Sequence, residues 1–278
     1  MSAQSIGYAT RNPAFNNPAF APADWRGIAA DQMTARGQGA DQARREAGYM
    51  TLSGTMAKTS VLLALCMISA TVVYTGLEAK QIAPGLGQIL LYGGAIGGLI
   101  LALIIGFKPT VAPYLAWFYA LVEGVVLGVL SWFIAERLGA KADGLIFQAV
   151  TLTLGIAVAA VAVTWTGLLR LSGTAIRVIS FATMGVMLAY MASFVMSMLG
   201  MGGISMIHSS SPIGIGFSAL VVGLASFRLV ADLQMVQDAA KSQTPKYMEW
   251  YSGFALLVTL VWLYIEVLRL LAKLRGRD

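Results

Sequence analysis

The sequence predicts an all-α integral membrane protein, a bundle of seven transmembrane helices. Three observations carry this. Charged residues make up 12% of the 278-residue chain and hydrophobic ones 58%, whereas soluble domains average about 25% charged. The charges gather in short clusters and leave long uncharged tracts, and a bilayer core asks for about 20 apolar residues per helix. Backbone polar groups in lipid must be satisfied within the segment, and the tracts lack the alternation of a barrel strand, so the spans are helices.

The first 50 residues differ. "NPAFNNPAFAPADWRG" repeats Asn-Pro-Ala-Phe and is rich in small, polar and turn-forming residues. Residues 1–50 therefore read as a disordered polar arm, and residues 51–278 as the helical domain. The arm is too polar and too long for a secretory signal, so the first apolar run stays in the membrane.

Seven spans follow in order: Thr59 to Leu77, Leu86 to Phe107, Val111 to Ile134, Leu145 to Leu169, Val178 to Leu199, Pro212 to Ala231 and Trp250 to Leu268. The fifth and sixth share one uncharged tract, which "GMGGISMIHSSSP" divides. Its glycines end one helix, and its serines and proline start the next. Lys and Arg are slightly more numerous on the side of the amino terminus, which favours that terminus inside. The basic tail after Leu268 pulls the other way. A last segment that stops short of crossing would remove the conflict.

Several function classes find no support. The sole cysteine, Cys66, lies inside the first span, which excludes an intramolecular disulfide. The net charge of +6 is spread over loops and tails, suiting contact with membrane lipid, and no basic-aromatic patch points to nucleic acid. His208 sits in the break between spans five and six without a second histidine, and reads as a loop residue, since a metal site needs convergent ligands. No nucleophile–base pair, phosphate loop or HExxH pattern is present. The chain does not read as an enzyme, and no cofactor is implied.

The intramembrane acids are the candidates for function, because an ionisable group at membrane depth costs about 2.5–3.5 kcal/mol. Glu123 lies deep in the third span and begins "EGVVLG", where Gly124 and Gly128 form a small-xxx-small face for a close helix crossing. It is either functional or a protonated packing residue. Asp232 follows Arg228 by one turn in "FRLVADLQMVQDAA", so both share a face. The pair is a helix-end salt bridge or an acid whose partner changes with pH. Glu249 marks the mouth of the last span. Glu266 belongs to a polar stripe of Thr259, Trp262, Glu266, Arg269 and Lys273, which a helix would turn toward the bundle.

These motifs resemble the YccA-like bacterial branch of the Bax inhibitor family, the transmembrane Bax-inhibitor-motif proteins. "ALVEGVVLGVLSWF", "ADLQMVQ" and "PKYMEWYSGFALLVTLVWLYIEVLRLLAKL" carry the resemblance, which covers Met50 to Asp278. The NPAF arm is similar to the polar leader of that branch. The resemblance implies a seven-helix bundle with a central C-terminal helix, in the bacterial cytoplasmic (inner) membrane. It also implies pH-sensitive calcium leak. Eukaryotic relatives suppress cell death, and a bacterial relative modulates a membrane-embedded protease.

The family's sensor is a pair of aspartates, one at the end of the sixth helix and one in the seventh. Asp232 matches the first, with Ala231 in place of the family's tyrosine. Glu123 matches the acid of the Glu-Gly-x-x-Leu-Gly motif. Aligning the terminal Leu-Leu-Arg with Val267-Leu268-Arg269 puts the second aspartate at Thr259, and that departure argues against a two-aspartate latch. Glu249 begins at the membrane face where the sixth span ends, so it is expected as the direct partner of Asp232. Glu266, about 10 Å beyond Thr259, is expected to line the far end of the same path.

Two functions from different classes follow. One is a cation leak channel or exchanger, for calcium with protons as the control, gated by carboxylates that share a desolvated site. Calcium cages take 6–8 oxygens, so Asp232 and Glu123 would serve as weak transit ligands, with Ca2+ transient rather than a cofactor. The other is a non-conducting regulator that binds a membrane protease or another membrane protein, with the arm as the segment engaged. A small-molecule transporter with a broken helix ranks below both, because the first half has no matching break.

Overall fold

The helices of the computed structural model are α1 (Leu52–Glu78), α2 (Pro84–Phe107), α3 (Ala112–Leu138), α4 (Leu145–Thr166), α5 (Gly173–Met198), α6 (Pro212–Lys241) and α7 (Met248–Arg275). The structure describes residues 39, 48–201 and 209–276. The NPAF arm and His208 lie outside the described residues. Among the described residues, seven helices are long and apolar enough to cross a membrane.

Local chemistry sets the helix ends. Thr51 caps α1, its hydroxyl accepting from the Gly54 amide at 3.0 Å, and Ser211 caps α6 in the same way at 3.2 Å. Proline opens α2 and α6, where its missing N–H leaves no bond unmade. Gly144 and Gly167, with φ of +67° and +68°, bracket α4 in a left-handed conformation that glycine adopts without penalty.

Several helices outrun their apolar cores, α1 starting at Leu52 rather than Thr59. α6 continues past Ala231 to Lys241 and α7 past Leu268 to Arg275. Hydropathy marks the part of a helix that sits in lipid, whereas hydrogen bonding carries on through "QMVQDAAK", all good or neutral helix formers. At 28 residues α7 measures about 42 Å. It is long enough to cross the core completely, against the alternative of a last segment that stops short.

α7 is the central helix. It packs against α1, α3, α4 and α6, and Thr259 through Leu263 are buried without interruption, as expected of a helix covered on all sides. α2 and α5 lie at the periphery, and the most apolar stretch of α5 has no buried residue. Lipid gives helices no hydrophobic reason to associate, so close packing and interhelical hydrogen bonds hold such a bundle. The tightest crossing is between α1 and α3, where a Cβ on Gly124 would run into the Cys66 carbonyl and one on Gly128 into that of Ala70.

Candidate functional site: a polar seam on the last helix

α6 and α7 are antiparallel neighbours joined by residues 242–247. Their register sets Asp232 against Thr259 and, nearer the other end, Ser218 against Lys273. The Thr259 hydroxyl donates to Asp232 Oδ2 at 2.6 Å. Arg228 Nη2 lies 2.8 Å from Asp232 Oδ1, and its Nη1 donates to Ser180 Oγ of α5 at 2.8 Å. Asp232 is thus held by its own helix, by α7 and, through Arg228, by α5. Its side chain is 7% exposed and that of Arg228 25%, so the guanidinium has an open edge and the carboxylate does not.

The structure separates Asp232 from Glu249, correcting the expectation that they pair directly. Asp232 lies inside α6 rather than at its end, so its level on α7 is Thr259, about 15 Å along the axis from Glu249. Glu249 is buried at the amino end of α7. It accepts from the Thr51 amide and hydroxyl, both at 2.9 Å, and forms an ion pair with Lys58, whose ammonium also lies over the Trp250 ring. Met50 N–H donating to Thr244 O at 2.8 Å completes a staple between the start of α1 and the α6–α7 turn.

Glu266 has no solvent exposure. Arg269 Nη1 donates to both its oxygens at 3.1 and 3.2 Å, the Tyr190 hydroxyl to Oε2 at 3.0 Å and the Trp262 indole to Oε1 at 3.2 Å. Arg269 also stacks over the Tyr190 ring, 4.6 Å from its centroid. One turn on, buried Lys273 donates to Gly214 O at 3.0 Å and Ser218 Oγ at 2.9 Å. Between the Ser180 and Tyr190 levels, and on the same face of α5, Thr183 Oγ1 is buried and has no hydrogen-bond partner among the described residues.

Glu123 stands apart from this seam. It is half-buried on α3, with Tyr119 one turn before it as a hydrogen-bonding neighbour and its carboxylate against Gly98 of α2. The structure does not bring it to Asp232, and among the described residues it has no ion pair.

Each buried acid of the seam therefore has its own cation, which offsets the cost of placing it at membrane depth. Among the described residues no three His, Cys, Asp or Glu converge as a metal cage. Sequence reasoning did not assign roles to Thr51, Lys58, Ser180 or Tyr190. The signals were present: Lys58 and Glu249 are opposite charges at one end of the bundle, and Ser180, Thr183 and Tyr190 fall on one face of an otherwise apolar span.

No curated protein and no solved structure matches this chain. A family model described as Bax inhibitor 1 like matches residues 12–276, starting within the polar arm. With nearly the whole length covered and seven apolar helices in place, the chain is an integral multi-pass membrane protein and belongs to the Bax inhibitor 1 like family.

Proposed function

We propose that the chain is a pH-sensitive cation leak pathway, with Ca2+ as the cation, gated at Asp232. The observation that carries this reading is the polar seam on the central helix. From Thr259 through Glu266 to Lys273 it extends about 21 Å along α7, most of the roughly 30 Å of a bilayer core.

In this reading Arg228 is a tethered cation occupying the seat a mobile one would take. When the guanidinium swings toward its exposed edge, Asp232 is left with the Thr259 hydroxyl beside it. The unpartnered Thr183 hydroxyl lies further along the seam, and such a buried group calls for water or an ion. These oxygens are too few for a calcium cage, so an ion would pass rather than reside, as conduction needs. Protonating Asp232 removes the transit charge, so flux falls on acidification. Thr259 at the second aspartate position means that the latch is a carboxylate–guanidinium pair, in place of a proton shared by two acids.

The pairing of every seam acid with its own cation equally favours a second reading, in which these groups are staples in a non-conducting regulator of another membrane protein. Ca2+ entry into liposomes holding the purified protein decides between them. The leak reading expects flux through the wild type that falls about tenfold, roughly 1.4 kcal/mol, in Asp232→Asn and loses its pH response. Unchanged flux in that variant ends the proposed mechanism. No wild-type flux between about pH 5 and pH 8 supports the regulator.

A further inference from the structure

A cleft separate from the seam lies between α1 and α4, with α3 and α7 as its floor. Its apolar body encloses about 340 Å³, within the usual range of ligand pockets, about 300–1,000 Å³. One face of α1 from Leu63 to Tyr74 forms a wall about 17 Å deep, close to one leaflet of a roughly 30 Å core. The floor's polar atoms are already matched, Ser131 and Tyr264 sharing a 2.8 Å hydrogen bond. At its edge Met67 and Phe147 are exposed at 41% and 76%, on helices that cross the membrane. A groove of this chemistry, open to lipid, suits an acyl chain.

Beside the body lies a polar mouth of about 500 Å³, the two sharing Tyr74, Ile146 and Phe147. The mouth lies where α1 and α3 end, at headgroup level. Glu78, Glu136, Asp143 and the Trp132 ring line it. Among the described residues Asp232, Asp238, Glu249 and Glu266 are all in ion pairs, whereas none of these three mouth carboxylates is. Arg275 approaches the same loop but donates to the backbone carbonyls of Lys141 and Asp143 and to Gln148 Oε1, forming no ion pair with the carboxylates. Three carboxylates outside any ion pair among the described residues thus stand at the end of an acyl-sized groove.

We propose that this cleft binds a membrane phospholipid whose headgroup ends in a primary ammonium, with one acyl chain in the groove and the ammonium among Glu78, Glu136 and Asp143. Carboxylates lining the mouth accept N–H bonds from such a group, and the Trp132 face adds cation–π attraction. A quaternary ammonium cannot donate those bonds, and an anionic headgroup brings no cation to these carboxylates.

The test is lipid retention by the purified full chain, read by native mass spectrometry. The probe is an equal mixture of phosphatidylethanolamine, phosphatidylcholine and phosphatidylglycerol with identical chains. The wild type is expected to retain the ethanolamine lipid about fivefold or more over the others. The Glu136→Gln/Asp143→Asn double variant, altered only at exposed positions, is expected to hold all three alike. Val150→Trp, which fills the groove, is expected to retain none above the level of the bulk annulus. Wild-type retention of the glycerol or choline lipid equal to the ethanolamine lipid overturns the proposal, and so does undiminished selectivity in the double variant. This readout involves no ion flux, so its failure leaves the reading of the seam untouched.

Discussion

Thr259 and Asp232 join α7 to α6 through a hydroxyl–carboxylate hydrogen bond of 2.6 Å, at the position where the resemblance led us to expect a second aspartate. The carboxylate's other oxygen faces Arg228. Asp232 is thus ionically paired within its own helix and hydrogen-bonded across the interface. In the proposed reading, a helix that carries one acid at this level, rather than two, controls its charge through the guanidinium.

Restoring the second acid tests that difference. Thr259→Asp places two carboxylates within reach of one proton, a situation in which one of them holds it. We expect a second titration step in the flux-against-pH curve of this variant, and one step in the wild type. A single unchanged step in Thr259→Asp would show that the two positions do not communicate.

The staple at the other end of α7 concerns stability rather than flux. Lys58→Met leaves Glu249, which is 1% exposed, without its counter-ion. Removing one member of a buried pair costs about 3 kcal/mol or more. A lower midpoint in detergent unfolding with flux per folded molecule unchanged is the expected outcome. Altered pH dependence would place Glu249 in the pathway instead.

At the α1–α3 crossing, side-chain volume is the issue. Gly128→Val puts a branched carbon where the Ala70 carbonyl already sits, and overpacking costs about 1–3 kcal/mol. A Cβ on Gly155 would meet no neighbour within 4 Å, so Gly155→Ala serves as the control. Thermal unfolding should separate the two.

α5 is held to the seam largely by polar contacts, so its local stability should depend on them. Tyr190→Phe removes the hydroxyl that donates to Glu266; a hydrogen bond to a charged group is worth about 1.5–3 kcal/mol. Faster hydrogen exchange in α5 with α2 unaffected is expected, because local openings follow local contacts. Equal protection of α5 in the variant and the wild type would show that apolar packing alone anchors it.

Much of this arrangement was legible in the residues. The uncharged tracts located all seven helices, and "GMGGISMIHSSSP" divided α5 from α6 correctly because glycine, serine and proline have local reasons to end and start helices. Gly124 and Gly128 announced a close crossing, though not that α1 makes it. The register from Val267-Leu268-Arg269 found Thr259, the residue that touches Asp232. What misled was ending the sixth span at Ala231. That choice moved Asp232 to a helix end and made Glu249 look adjacent, when the helix runs on and shifts the facing level by about three turns. The contacts of Glu266 with Tyr190, and of Arg228 with Ser180, depend on which helix lies beside which. Hydropathy carries no such information.

The most direct measurement is Ca2+ entry into proteoliposomes for Arg228→Gln, alone and with Asp232→Asn. If Arg228 occupies the cation's seat on Asp232, the single variant should leak about tenfold faster than wild type, and the double variant should fall to the rate of Asp232→Asn alone. A single variant that leaks no faster, or a double variant that leaks as fast as Arg228→Gln alone, would contradict the gate at Asp232.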